Sequence, residues 1–192
     1  MSMLLRPQCP PDGLMAVTGM AAVAVCRAVE RAGGAKAQVK WVNDLVLNGK
    51  KLCGILAEAV MTEQGMALVL GVGVNVDHRR EDFSPEVADM ATSLAMEGFD
   101  VSRAALAAAV IEELAELERA LGGEVSGWVE AYRLRCANLG RDVQLLWREG
   151  CRQARALDVD ERFGLVVQYP DGVRETVRTG EVSVRGLYGY VE

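Results

Sequence analysis

Apolar residues appear at once in this chain. Met1, Met3, Leu4 and Leu5 precede Arg6-Pro7 and read as the closing half of a strand. Residues 8–13, with two prolines, predict a loop. An alanine-rich run over residues 14–32, with Met15, Met20, Ala24 and Val29 among its apolar positions, predicts a helix that Gly33-Gly34 ends. Residues 39–47 predict a strand with a polar interruption. Asn48-Gly49 is a strong hairpin signal, and residues 52–60 supply the return strand. After a turn at Gly65, residues 66–76 give a third strand, so the first half carries a meander.

Residues 78–91 form a charged loop. Ser102 is placed to cap a helix whose apolar stripe is Leu106, Val110, Ile111, Leu114, Leu117 and Leu121, closed by Gly122-Gly123. A shorter helix over residues 126–135 puts Trp128 and Tyr132 on one face, as core. Beyond Cys136 the pattern changes to short strands at residues 143–147, 151–159, 163–169, 173–177 and 181–187, with turn residues between them. Such spacing predicts a small antiparallel barrel, with Trp147 and Tyr169 in its core. The fold class is α+β: a mixed or antiparallel sheet flanked by helices over residues 1–137, then a β unit over residues 138–192.

Composition narrows the class. At 51% hydrophobic and 25% charged, 192 residues can bury a core and are not a disordered chain. A net charge of -6 without a Lys/Arg cluster argues against nucleic acid as a partner. The apolar stretch at residues 14–26 is too short and too mixed to span a bilayer, and no signal peptide is apparent. Five cysteines at wide spacing and a lone histidine, His78, fit neither a disulfide framework nor a zinc site. The expectation is reduced thiols and a cytoplasmic protein.

Candidate chemistry concentrates in the meander. Lys40-Trp41-Val42-Asn43-Asp44 places a lysine, an amide and a carboxylate at a strand end or the turn after it. A lysine there can hold a carboxylate or phosphate oxygen, and an aspartate can hold Mg²⁺. The plainer reading is a surface Lys–Asp pair beside a buried tryptophan. Gly54 within a strand marks a bulge or the close approach of a backbone or ligand. Gly71-Val72-Gly73-Val74-Asn75 lacks the third glycine and following helix of a dinucleotide fingerprint. Its glycines leave room for something flat, and Asn75 can hydrogen-bond a base or phosphate.

In order and spacing, these segments resemble the biotin protein ligase family. Its motifs are Lys-Trp-Pro-Asn-Asp, Lys-Leu-x-Gly-Ile-Leu-x-Glu and Gly-x-Gly-x-Asn. Lys40 to Asp44, Lys51 to Glu58 and Gly71 to Asn75 match them, with Ala91-Thr92-Ser93-Leu94 and Gly180 to Arg185 as further matches. The resemblance implies a ligase that joins biotin to ATP as biotinyl-5′-AMP and passes biotin to a lysine of a biotin carboxyl carrier domain. It implies Lys40 as the catalytic cation and a biotin contact, with Gly54, Gly71 and Gly73 beside the biotin rings. It places Asn43, Asp44, Asn75 and Arg185 at ATP or the adenylate, with Asp44 a candidate Mg²⁺ ligand, and it makes the terminal barrel SH3-like.

Two features depart from the family. Val42 replaces a proline that would stiffen the turn. The family's Ser/Thr pair, its biotin-binding glutamine and its Gly-Arg-Gly-Arg-x-Gly adenylate loop are not among these residues, and nor is the winged helix of some relatives. One reading is therefore the later part of a biotin ligase. Another is a non-catalytic binding or assembly module, and a third a lipoate-type ligase. A first strand that starts in its middle is expected to leave an unpaired edge and uncovered apolar surface, which further suggests a homodimer.

Overall fold

The computed structural model describes residues 1–6, 14–63, 65–121, 123–147, 150–178 and 183–186. The loop expected over residues 8–13 lies outside them. The first sheet contains β1 (Ser2–Leu5), β2 (Gln38–Lys40), β3 (Asp44–Leu47), β4 (Lys50–Thr62) and β5 (Gly65–Val74). Its order is β1-β5-β4-β3-β2, and every neighbouring pair is antiparallel. Of the mixed and antiparallel alternatives, the antiparallel one holds.

The strand expected across residues 39–47 is a hairpin instead. β2 and β3 pair from Gln38 opposite Val46 to Lys40 opposite Asp44, so the polar interruption is their turn. The next turn is the Asn48-Gly49 one, with φ of 49° and 77°. Positive φ at both central residues matches the twist of the flanking strands.

Helix α1 (Leu14–Gly33) packs on one face of this sheet, with α2 (Arg103–Ala120) and α3 (Ser126–Arg135) beside it. Sandwiched on several sides, it buries Val17, Met20, Val23, Ala24, Val25 and Ala28 all round, and its small side chains let the neighbours approach. At its end Gly34 adopts φ 76° and donates its N–H to Glu30 O at 2.7 Å. Ser102 caps α2 as expected, its hydroxyl accepting from Ala105 N at 3.4 Å. Ile111, however, is 49% exposed. It lies about 140° around the helix from Leu106, and Ala109 takes its place in the buried stripe. Tyr132 is core, but Trp128 is only half-buried, with the Arg27 guanidinium 4.7 Å above its ring.

The second sheet contains β6 (Asp142–Trp147), β7 (Gly150–Val159), β8 (Leu165–Gln168), β9 (Arg174–Val177) and β10 (Ser183–Gly186), in the order β10-β6-β7-β8-β9. The closed barrel expected from the strand spacing is absent among the described residues: β9 and β10 are the sheet's end strands and do not pair. Strand count is legible in a sequence, whereas closure depends on twist and stagger that span the whole sheet. Tyr169 is buried as expected, its hydroxyl donating to Glu175 Oε2 at 2.6 Å. The side chain of Trp147 lies outside the described residues.

The turn from β7 to β8 is organised by Asp160, whose Oδ1 accepts from Arg162 N at 2.9 Å and Gly164 N at 2.8 Å while Oδ2 meets Arg178. Burial alone would raise this carboxyl's pKa. The hydrogen bonds and the Arg178 charge outweigh burial and hold it below the ordinary value. Stability from a depressed carboxylate is full above its unfolded pKa and lost as pH falls through the folded one. Asp160→Asn should therefore cost about 1–2 kcal/mol near neutrality, with the gap to the native chain closing below about pH 4. Urea melts across pH 3–7 measure this, and a pH-independent gap would refute it.

Candidate functional site

Register assembles the site. Lys40 lies opposite Asp44, Asp44 opposite Gly54, and Gly54 opposite Gly73, a single row across β2, β3, β4 and β5. Directly opposed residues of antiparallel strands share a face. That face is opposite the one on which Cys53, Ile55, Leu70 and Val72 are buried. Gly71 continues it two residues along β5, opposite Leu56.

The glycines are not required by the fold. A Cβ at Gly73 would lie 3.8 Å from Gly54 O, and one at Gly71 would lie 3.7 Å from Leu56 O. Both are ordinary contacts, and neither glycine has a positive φ. What glycine provides here is bare backbone that a flat ligand can approach. Leu4 and Leu56 border this face, 57% and 59% exposed, and offer apolar surface to the same ligand.

At the polar end of the row, Lys40 is 6% exposed and Asp44 is half-buried. Asp44 Oδ1 meets Lys51 Nζ at 2.6 Å. Lys51 has no role in the sequence reading beyond its place in a motif. A bulge brings it in: Leu45 opposes Cys53 but Val46 opposes Lys51, leaving Leu52 as an extra residue. Strict alternation would put Lys51, three residues from Gly54, on the other face, and the extra residue returns it to this one. A Cβ on Gly54 would lie 3.5 Å from Lys51 Cε and 3.7 Å from Asp44 Oδ1, so the bare position faces the ion pair directly.

Asn43 and Asn75 hold the margins. Asn43 Nδ2 donates to Ile55 O at 2.6 Å and the backbone carbonyl of Asn43 accepts from Ile55 N at 3.0 Å, tying the turn to β4. Asn75 Nδ2 donates to Thr92 O at 3.0 Å, and Thr92 N donates to Lys51 O at 2.9 Å. The Ala91-Thr92-Ser93-Leu94 motif thus braces β4 and β5 from the side, with Thr92 and Ser93 buried. Both amide nitrogens are engaged within the chain, a positioning use that the ligand roles expected for these residues did not anticipate. Arg185 lies on β10 opposite Gln144, in the other sheet; its side chain is outside the described residues.

The Trp41–Val42 peptide bond is cis. Val42, which stands where the motif has proline, has its carbonyl hydrogen-bonded by Tyr132 Oη at 3.1 Å. Cys53, next to Gly54, is no nucleophile: burial pushes its thiol up to about 12.

Asp44 Oδ1 is engaged by the Lys51 ammonium, and no group of three acidic, histidine or cysteine side chains among the described residues could hold a metal ion. The geometry shown for Asp44 is that of a carboxylate fixing Lys51.

Residues 1–75 match the biotin/lipoate A/B protein ligase family. The chain is 31% identical over 183 residues to the bifunctional ligase/repressor BirA of Bacillus spizizenii, covering 91% of this chain and 55% of that protein. To the Escherichia coli protein of the same name it is 28% identical over 191 residues, covering 96% and 58%. Among solved structures, the biotin protein ligase of Aquifex aeolicus in complex with biotin and ATP superposes with a TM-score of 0.82 at 25% identity, covering 96% of this chain and 77% of that one. The chain therefore spans a little over half the length of these curated relatives. No helix among the described residues is long and apolar enough to cross a membrane.

Proposed function

We propose that the chain is a biotin protein ligase, in line with the family model over residues 1–75 and with the ligases it resembles, and that it activates biotin with ATP and passes it to a lysine of a biotin carboxyl carrier domain. The observation that carries the proposal is the row from Lys40 to Gly73, with a buried cation and an ion pair at one end and bare, apolar-bordered backbone at the other.

The first step joins two anions. The biotin carboxylate attacks the α-phosphorus of ATP, pyrophosphate leaves, and biotinyl-5′-AMP forms. Lys40 offsets the repulsion of the approaching oxygens and the charge that builds on the α-phosphate. Asp44 and Lys51 hold the neighbouring charge in place, and a pair fixed at 2.6 Å costs little reorganisation as the reaction proceeds. The biotin rings lie over Gly54, Gly71 and Gly73. In the second step the carrier lysine amine attacks the mixed anhydride carbonyl and AMP leaves. Any Mg²⁺ is brought by the ATP phosphates, and no step is assigned to it.

Arg185 of β10, in a unit read as SH3-like, belongs to the same proposal as a contact to ATP. So does a homodimer through the free edge of β1, which lies at the margin of its sheet.

The test is biotin-dependent exchange of labelled pyrophosphate into ATP by this chain, together with calorimetry. Exchange above background with biotin alone supports the ligase. Tight biotin binding without exchange would replace it with a binding module, and exchange driven by lipoate with a lipoate-type ligase.

A further inference from the structure

We propose that Phe163, in the turn from β7 to β8, is a positioning residue for Lys40, acting through Trp41; the role rests on the ligase reading above. Lys40 ends a three-residue strand at the edge of its sheet. Beyond β3, its strand is joined among the described residues by a single bridge, between Val39 and Cys136, and packs against α1 and α3. A short edge strand of this kind does not by itself fix the direction of its last side chain.

The bracing comes from elsewhere. Trp41, next in sequence and 5% exposed, donates its indole Nε1–H to Phe163 O at 2.7 Å. Its backbone N–H donates to Asn138 Oδ1, also at 2.7 Å. With the bond from Tyr132 to Val42, the turn after Lys40 is held by three partners at least 90 residues away in sequence. Two of them lie on or just after α3, and the third belongs to the second sheet.

Phe163 is itself tightly held. Its φ of 62° is a left-handed conformation that a phenylalanine keeps only where its surroundings impose it. Asp160 imposes it on one side through Arg162 N and Gly164 N. The ring imposes it on the other. Fully buried, it meets Tyr132 edge-on at 5.3 Å and lies so close to Gly19 of α1 that a Cβ there would be 2.2 Å from Cδ1. A carbonyl anchored this way is a fixed acceptor for the indole. The second sheet thereby acts on the catalytic lysine without touching the reacting atoms, a use of this turn that neither the motifs nor the family match assigns.

Trp41→Phe tests the role, because it keeps an apolar ring and removes the N–H that Phe163 O accepts. Pyrophosphate exchange is measured for the native chain, Trp41→Phe and Lys40→Ala, at a temperature where circular dichroism shows each to be folded. Amide hydrogen exchange is followed in parallel. The expected result for Trp41→Phe is a kcat lower by about tenfold or more, with KM for biotin and ATP within about threefold. Amides of residues 39–43 should exchange about tenfold faster, while those pairing β6 with β7 stay unchanged. A general loss of stability would move both sets. Trp41→Phe turnover within twofold of native, beside an inactive Lys40→Ala, would overturn the positioning role and leave the ligase reading standing. A native chain without exchange activity, or normal turnover in Lys40→Ala, would overturn the ligase reading and this role with it.

Discussion

On the proposed ligase function, Lys40→Ala is expected to lower the rate of biotin adenylation by about two to three orders of magnitude, with a smaller change in the KM of either substrate. The reacting groups are both anions, and the buried ammonium is worth most where their charge is concentrated, in the transition state. Removing one preorganised electrostatic donor of this kind costs roughly 3–4 kcal/mol, which is the expected fall in rate. Lys51 is a second cation on the same face, but Asp44 holds it at 2.6 Å, so it is not available to replace Lys40. The pairing also separates the two lysines experimentally. Lys51→Ala should cost less, because it frees Asp44 without removing the charge that Lys40 supplies. Single-turnover adenylate formation for the two variants is the measurement. Equal rates for Lys40→Ala and the native chain would mean that the row has been assigned the wrong chemistry.

Gly19→Ala destabilises the chain by about 2 kcal/mol, although alanine is the better helix former. Propensity alone favours the substitution by about 1 kcal/mol. The new methyl, however, would be built 2.2 Å from Phe163 Cδ1 and 2.6 Å from Cγ, on a fully buried ring that also meets Tyr132 edge-on at 5.3 Å. Overpacking of this severity costs up to about 3 kcal/mol or somewhat more and outweighs the gain. For a chain of this size the loss corresponds to about 4–8 °C in Tm. Gly127→Ala in α3 is the control, since nothing lies within 4 Å of the methyl it would add, and it should raise Tm slightly. Calorimetric melts of both variants decide the matter, and a Gly19→Ala chain as stable as native would contradict the packing of Phe163 against α1.

Much of the fold was legible in the sequence because it follows from local rules. The Asn48-Gly49 turn, the Ser102 cap and the glycine stop after α1 each depend on residues within a few positions of one another. The site was legible in part for a similar reason: Lys40, Asp44, Gly54 and Gly73 fall in short motifs whose spacing is that of paired antiparallel strands. Less visible were the hairpin within residues 39–47, the lack of closure of the second sheet among the described residues, the exposed side of α2 at Ile111 and the engaged amides of Asn43 and Asn75. Each of these depends on which distant segment arrives alongside. Ile111 is apolar and close to the stripe, and only the placement of α1 decides that Ala109 is buried in its stead.

By itself, then, the sequence determined most of the elements, the resemblance to the biotin ligases and the residue types that meet at the row, since periodicity, capping, turn chemistry and the motifs are written within about ten residues. Two features were decided only by tertiary structure. One is the extra residue Leu52, which brings Lys51 onto the face of Asp44. A strand's side chains alternate strictly until a bulge intervenes, and pairing with a partner strand decides where it falls. The other is the bond from Trp41 to Phe163, 122 residues away in sequence. No local pattern encodes it, because the indole and the carbonyl meet only after both sheets and α3 have packed together.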